Sequence, residues 1–315
     1  MIISSCPLRI SLFGGSTDHP CFIDKYGYGS VISFTSNLKT YINLHEDIIG
    51  YNKHNQKYII NYSIREEVSN ISEIKNDVVR VVLEHYKQLP INISLTSDIF
   101  SQGSGLASSS SYIISLIKAL NFHKGIKMSD SDICALAYTL ELKFNPFCGM
   151  QDPYGCGIGG FKRINFQKNK KVNYEILPDE LFNIYDVYVI FTGINRNSKT
   201  ILNDIAKNID KSYPLLSLVD DANRYLYDKK YDLFMECFSE SWRVKKQTSD
   251  LITENESIKQ IDSILEKNKF IKGHKLCGAG NGGFYLAFFE KNKFNLSLPA
   301  TKIELNYNGV NGIII

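Results

Sequence analysis

The sequence predicts a mixed α/β protein in two domains, and three observations carry that expectation. The chain has 315 residues, and at about 150 residues per domain two are expected, because single hydrophobic cores stop growing well before this length. Short runs of period two are interleaved with longer stretches of helical period. The pattern changes character near residues 170–185, where Lys168, Lys170, Lys171 and Pro178 interrupt it. The expected division is 1–178 and 179–315.

Taken in order, residues 41–45 and 91–95 alternate as half-buried strands do. A helix is predicted over 107–122, where Ile113, Leu116, Ile117 and Leu120 recur at three- and four-residue steps. A second is predicted over 130–143. Ser129 and Asp132 start it as a capping box, and Ile133, Leu136, Ala137 and Leu140 share one face. In the second half, residues 187–191 read as a buried strand. Helical patterns follow over 198–209, 214–228, 231–248 and 255–268. Two strand-like runs, 274–277 and 284–288, then flank a glycine-rich turn.

Composition narrows the function classes. Hydrophobic residues make up 43% and charged residues 22%, which fits a folded globular chain and not a disordered, collagenous or coiled-coil one. The net charge of +3 is too mild for a nucleic-acid surface, although a few local cations suffice for a phosphorylated small ligand. The first residues have no basic segment ahead of a long apolar run, so no signal peptide is expected. No membrane span is expected either, since about 18 uninterrupted apolar residues never occur. Seven cysteines without a C-x-x-C pair argue against a disulfide framework or a structural zinc site. They read as small core residues in a reducing cytoplasm. Oligomeric state is not legible.

Glycine concentrates in four places: Gly14 and Gly15, Gly103 and Gly105, the stretch 149–160, and 278–283. Gly103-Ser104-Gly105-Leu106-Ala107-Ser108-Ser109-Ser110 lies between a predicted strand and a predicted helix. Its glycines let backbone N–H groups turn outward, and the helix start behind adds partial positive charge, which together suit a phosphate chain. A flexible turn with an ordinary helix cap fits the same residues. Neither a Walker A loop nor the Rossmann fingerprint fits, since the Lys-Ser/Thr pair and the third glycine are missing. The stretch Gly278-Ala279-Gly280-Asn281-Gly282-Gly283 contains G-x-G-x-x-G literally. However, a strand rather than a helix follows it, which removes the dinucleotide reading and leaves a hairpin turn against which a ligand can lie.

Two carboxylates stand out. Glu141 ends the second predicted helix, and Asp152 follows Asn145-Pro146-Phe147-Cys148-Gly149-Met150-Gln151, read as a loop that cannot continue that helix. Phosphoryl transfer to a hydroxyl uses one carboxylate to hold Mg²⁺ and one to orient or deprotonate the attacking group. Near the N-terminus, Arg9 precedes an apolar run into Gly14-Gly15-Ser16-Thr17-Asp18. A hydroxyl and a carboxylate there suit a sugar, and Arg9 suits a phosphate; an edge strand and polar turn are the plainer alternative.

In order and spacing these pieces resemble the GHMP kinases. Residues 103–110 are similar to that family's G-L-G-S-S phosphate motif, with Ala107 where glycine is commoner. Glu141 and Asp152, eleven residues apart, fall where the family has its metal-binding glutamate and catalytic aspartate. Residues 278–283 resemble its C-terminal G-A-G-x-G-G. Pro7-Leu8-Arg9-Ile10-Ser11 followed by Gly14-Gly15-Ser16-Thr17-Asp18-His19-Pro20 resembles the P-L-R-I-S-x-x-G-G-G-T-D-x-P opening of bacterial D-glycero-D-manno-heptose 7-phosphate kinases and of related fucose kinase domains. Two departures are Ser16 for a usual glycine and His19 for an apolar or aromatic residue. Residues 149–154 with Gly159-Gly160-Phe161, and 192–198, resemble further motifs of that group.

The resemblance implies a GHMP kinase fold, with a ribosomal-protein-like α/β N-terminal domain and a ferredoxin-like α+β C-terminal domain. It implies ATP and Mg²⁺ as nucleotide and cofactor, and a small sugar phosphate as the other partner. ATP would meet Gly103, Ser104, Gly105, Leu106, Ala107, Ser108, Ser109 and Ser110, with Ser109 and Glu141 on the metal. Asp152 would activate the anomeric hydroxyl, and Arg9 would offset phosphoryl charge or lower the Asp152 pKa. Gly15, Ser16, Thr17, Asp18, Gly149 and Gln151 would surround the sugar. Gly278, Ala279, Gly280, Asn281 and Gly282 would close near the nucleotide. Arg196 and Lys199, ahead of Lys162 and Arg163, would hold a 7-phosphate. The implied product is heptose 1,7-bisphosphate, a precursor of activated heptose for bacterial surface polysaccharide. A fucose-type sugar 1-kinase, a non-catalytic sugar-binding regulator and a dinucleotide-dependent oxidoreductase are the competing expectations.

Overall fold

A computed structural model describes residues 1–46, 56–100, 103–169, 171–194 and 198–314. Two sheets organise it. The first contains β1 (Ile2–Phe13), β2 (Tyr28–His45), β3 (Tyr58–Asn61), β4 (Arg65–Val68), β5 (Asn92–Ser97), β6 (Phe161–Gln167), β7 (Val172–Ile176) and β12 (Asn311–Ile314). The second contains β8 (Tyr185–Phe191), β9 (Ile271–Leu276), β10 (Phe284–Glu290) and β11 (Ala300–Ile303). In the first the strand order is β12-β1-β2-β5-β3-β4, with β6 on β2 and β7 on β6. In the second it is β11-β8-β10-β9, antiparallel throughout.

The 18-residue β2 is the hub of the first sheet. Its first half pairs with β6, with Ser30 opposite Asn165, and its second half with β5, with Ile42 opposite Leu95. β1 runs alongside both halves, with bulges between Pro7 and Arg9 and between Ser11 and Phe13. Such bulges re-aim side chains, and here they flank Arg9.

Helices α1 (Pro20–Tyr26), α2 (Asp77–Tyr86), α3 (Ser108–Lys124), α4 (Asp130–Glu141) and α5 (Gln151–Gly157) belong to the first half. α3 is the central one. Its buried residues include Ser111, Ile113, Ile114, Leu116, Ile117 and Leu120, too many for one stripe, as expected of a helix covered on most sides. It packs with α2, α4, α5 and the strands around Ile42, Leu44 and Ile93 in one core. α6 (Leu181–Ile184), α7 (Ser198–Lys207), α8 (Pro214–Tyr227), α9 (Tyr231–Gln247) and α10 (Glu256–Glu266) follow.

A second core joins the two sheets. Leu8, Ile10, Leu12 and Phe13 of β1 meet Phe234 and Phe238 of α9 and Leu286 and Phe288 of β10. The Phe13 ring lies edge-on to Phe234 and Phe238, at 5.1 and 5.7 Å. β1 is thus covered on both faces, which explains its run of eight buried residues ending at Phe13.

The expected strands and helices are present, with ends that move by at most three residues, except that the strand expected at 41–45 is the second part of one that begins at Tyr28. The helix expected from 107 starts at Ser108, because Ala107 sits at φ +63°. One expectation is corrected: Asp152 lies not in a loop but in the first turn of α5, where Pro153 costs nothing because first-turn N–H groups lack helical partners. The first sheet also takes an edge strand from the far end of the chain, since β12 pairs with β1. Among the described residues no helix is long and apolar enough to cross a membrane, and all seven cysteines are free thiols.

Candidate active site

The site is built from the turn that ends in α3. Gly103, Gly105 and Ala107 have φ of +68°, +82° and +63°, so left-handed residues alternate with others and bare successive N–H groups, a geometry that binds anions. Ala107 occupies the cap of α3 without offering a side-chain acceptor, so no cap side chain competes for the first-turn N–H groups. Ser104 Oγ accepts from Leu106 N at 3.2 Å and lies 2.9 Å from Ser108 Oγ. The glycine-rich turn after β9 presses on this loop from the second sheet. A Cβ on Gly283 would stand 2.4 Å from the Ser104 carbonyl oxygen, so only glycine fits.

Beside the loop stand the two carboxylates. Arg9, buried on β1, donates from Nη2 to Asp152 Oδ1 and from Nη1 to the Gly105 carbonyl at 3.1 Å. Burial opposes the Arg9 charge, but Asp152 more than offsets it, and the guanidinium pKa lies above its ordinary value. Glu141, at the end of α4, accepts from Ser110 Oγ. Burial pushes its carboxyl up to about 7, with Asp152 adding to the rise and Ser110 opposing it. Glu141 and the exposed Ser109 line the same cleft. One carboxylate and one hydroxyl beside a phosphate loop fit Mg²⁺, which takes few protein ligands and fills its shell from phosphates and water. Among the described residues no group of three or more His, Cys, Asp or Glu is placed to cage a metal by itself.

Asp18 lines the same cleft. Its Oδ1 accepts from Ser16 N at 3.2 Å and its Oδ2 from Gln151 N at 3.1 Å. Burial raises its pKa, with Asp152 next. A Cβ on Gly149 would fall 1.7 Å from Asp18 Oδ2, so the Asp18–Gln151 contact requires glycine there. Gly15, Ser16, Gly149 and Gln151 all line the cleft, as do Gly278 and Ala279.

Other expected residues do not reach it. Thr17 is a structural residue: its hydroxyl is buried, 2.8 Å from both Gly14 O and Ser30 O, and accepts from Ser30 N at 3.1 Å. Leu106 points into the core between the sheets, and Ser110 turns inward to Glu141. Gly280 packs on Ile252 and Asn281 N donates to Ile252 O at 2.7 Å; with Gly282 they brace the turn and do not line the cleft. Lys162 is wholly buried on Gly160 O, and Arg163 pairs with Asp220. Arg196 lies outside the described residues, as does the side chain of Lys199.

Sequence reasoning missed two cations and two aromatics. Lys245 of α9 donates to Ser16 Oγ at 2.6 Å, and Lys275 of β9 donates to Leu12 O at 2.6 Å. Both line the cleft and both are buried. Burial lowers the Lys275 pKa to about 7, with Lys245 contributing. His19 and Phe147 also line it, with rings stacked at 6.3 Å. Both lysines carried a signal: each falls on the core face of its element, where a lysine needs a reason.

Four buried polar atoms on the cleft wall have no hydrogen-bond partner among the described residues: Arg9 Nε, His19 Nε2, Asn145 Oδ1 and Gln151 Oε1. Buried polar groups are normally satisfied, so this concentration marks where ligand polar groups belong.

Comparison with known proteins agrees. Residues 73–160 match the family described as GHMP kinases N terminal domain. The sequence is 27% identical to a D-glycero-alpha-D-manno-heptose 7-phosphate kinase of Campylobacter jejuni, over 97% of this chain and 94% of that protein. It is 23% identical to a mevalonate kinase of Pyrococcus horikoshii, over 90% of this chain and 87% of that protein. The crystal structure of a D-glycero-D-manno-heptose 1-phosphate kinase from Bacteroides thetaiotaomicron shares the fold with a TM-score of 0.78, over 100% of this chain and 99% of that one, at 20% identity. The phosphate loop, the paired carboxylates and the fold agree with these matches: the chain matches the GHMP kinase N-terminal domain over residues 73–160 and is similar along nearly its whole length to kinases of a sugar phosphate and of mevalonate.

Proposed function

We propose that the chain transfers the γ-phosphoryl group of ATP to the anomeric hydroxyl of D-glycero-D-manno-heptose 7-phosphate, giving the 1,7-bisphosphate. One observation carries this reading. Arg9 ties Asp152 to the carbonyl of Gly105 on the phosphate loop, so a base is fixed beside the place a nucleotide phosphate would take, with Asp18 in the same cleft.

The roles follow from this geometry. The loop 103–107 and the start of α3 bind the phosphates. Ser109 and Glu141 would hold Mg²⁺, which when bound neutralises charge on the β- and γ-phosphates. Asp18 and Gln151 orient the sugar hydroxyls. Asp152 orients the anomeric hydroxyl and takes its proton; that oxygen bonds to the γ-phosphorus as the bond to the ADP oxygen breaks. Arg9 engages Oδ1 of Asp152 and leaves Oδ2 for the proton. Supply of ATP and a free sugar phosphate places the reaction in the cytoplasm.

The test is a mass-spectrometric search for a product heavier by one phosphoryl group, with ADP release, over heptose 7-phosphate, fucose, galactose and mevalonate. Preferred turnover of heptose 7-phosphate is expected. Preference for fucose would replace it with the fucose-type reading, and binding without turnover would make the chain a sugar-binding regulator.

A further inference from the structure

Both positions at which the chain departs from the opening motif it resembles, Ser16 and His19, line the cleft beside Lys245. Ser16 adopts φ +86°, a left-handed conformation that is strained for a non-glycine residue. A glycine would avoid that strain, so the side chain is retained for what it contacts. Its hydroxyl oxygen accepts from Lys245 Nζ at 2.6 Å, which leaves its own hydrogen to donate.

His19 supplies a second donor. Its Nδ1 accepts from Cys21 N at 3.2 Å as the N-cap of α1. An accepting Nδ1 carries no proton, so in the neutral ring the proton sits on Nε2. That Nε2–H has no acceptor among the described residues, and the residue is only 3% exposed. Lys245 adds an ammonium donor, 6% exposed. The carboxylate of Asp18 next door is already engaged by the N–H groups of Ser16 and Gln151. The three side chains Ser16, His19 and Lys245 themselves therefore offer chiefly donors. A sugar hydroxyl brings a donor of its own and matches them poorly, whereas a phosphate monoester brings only acceptor oxygens.

We propose that Ser16, His19 and Lys245 form the subsite for a phosphate monoester carried by the acceptor. This deepens, and rests on, the reading of the chain as a sugar-phosphate kinase. It moves recognition of the acceptor phosphate to the wall shared by the first turn after β1 and α9. Ser16, His19 and Lys245 are then specificity-determining residues.

The test compares wild type with Ser16→Gly, His19→Asn, His19→Phe and Lys245→Met. The first readout is kcat/KM for heptose 7-phosphate divided by kcat/KM for unphosphorylated heptose. Each substitution is expected to lower this ratio by about 10–100-fold, the worth of one hydrogen bond to a charged group. His19→Asn separates capping from recognition, because asparagine caps a helix well but lacks the Nε2 donor. If His19→Asn keeps the wild-type ratio while His19→Phe loses it, His19 is only a cap and the subsite is overturned. The second readout is calorimetric titration of inorganic phosphate into protein saturated with a non-hydrolysed ATP analogue, so that the nucleotide loop is occupied. Weaker phosphate binding by Lys245→Met and Ser16→Gly supports the subsite, and wild-type binding by both overturns it. Should the wild-type protein phosphorylate neither sugar, the kinase assignment fails by itself, and the phosphate titration alone decides the subsite.

Discussion

Arg9 and Asp152 form a part-buried ion pair that also reaches the phosphate loop. The guanidinium is 3% exposed and the carboxylate 29%, and the second arm of the guanidinium rests on Gly105 O. A planar fork with donors on both arms is what such a bridge needs, and lysine cannot supply it. Asp152→Asn is expected to lower kcat by about 10²–10⁴-fold, the usual worth of a positioned base, with ATP-analogue affinity near wild type by calorimetry. Arg9→Lys is expected to lower kcat less, by about 10–100-fold, while weakening ATP-analogue binding, because it frees the loop as well as the base. A wild-type rate in Asp152→Asn would falsify the role given to that carboxylate.

Glu141 is the acidic member of the cation site. Glu141→Gln keeps the shape and the contact with Ser110 but removes the charge. The Mg²⁺ concentration for half-maximal rate is expected to rise by about tenfold or more. Ser110→Ala, which removes a neighbour that holds Glu141 in place, should raise it less. Rates measured across a Mg²⁺ series at saturating ATP give both numbers.

Gly149→Ala tests the acceptor side. The added methyl would displace the Asp18 carboxylate from Gln151 N. We expect the acceptor KM to rise at least about tenfold. ATP-analogue binding, read by calorimetry on the same preparation, is expected to change far less, since Gly149 is not in the 103–107 loop.

Lys162 makes a stability prediction. The side chain is wholly buried and donates to Gly160 O at 3.2 Å. Burial lowers its pKa from 10.5 to about 7, with the thiols of Cys156, Cys134 and Cys6 opposing the shift. Between these values the unfolded chain holds a proton that the folded chain has released. Stability therefore rises with pH from about 7 to 10.5 and is lowest below 7, where the buried amine is charged. Lys162→Met should stabilise the protein at neutral pH by about 1–4 kcal/mol and shrink that rise. Lys275, also lowered to about 7 by burial, would keep part of it. Thermal melts at pH 6, 8 and 10 on both proteins check the sign and the size.

Much of this was legible in the sequence, for physical reasons. The helix from Ser108 to Lys124 carries its apolar residues at three- and four-residue steps, and Ser129 caps the next helix through Asp132 N. Glu141 stood out at the end of a predicted helix and Asp152 in a glycine-rich stretch, both at the spacing of the family they resemble, and both line the cleft. Ser16 and Thr17 were not separable by type, although one hydroxyl faces the cleft and the other ties Gly14 to Ser30. The placement of Asp152 on a helix was obscured by Pro153, which stops a helix interior but starts one freely. Lys245 and Lys275 were hidden because a charged residue is ordinarily solvated. What distinguishes them is register: Lys245 follows Phe238, Ser241 and Trp242 around the buried side of α9, and Lys275 stands two residues after buried Gly273 on β9.

The contact between Gly283 and the Ser104 carbonyl sets a schedule for the growing polypeptide. The loop leaves the ribosome about 180 residues before the glycine that braces it, on the order of ten to forty seconds earlier at ordinary elongation rates. β1 waits longer still for its edge partner β12. A chain that has not yet reached Gly283 thus leaves the 103–107 loop without its support.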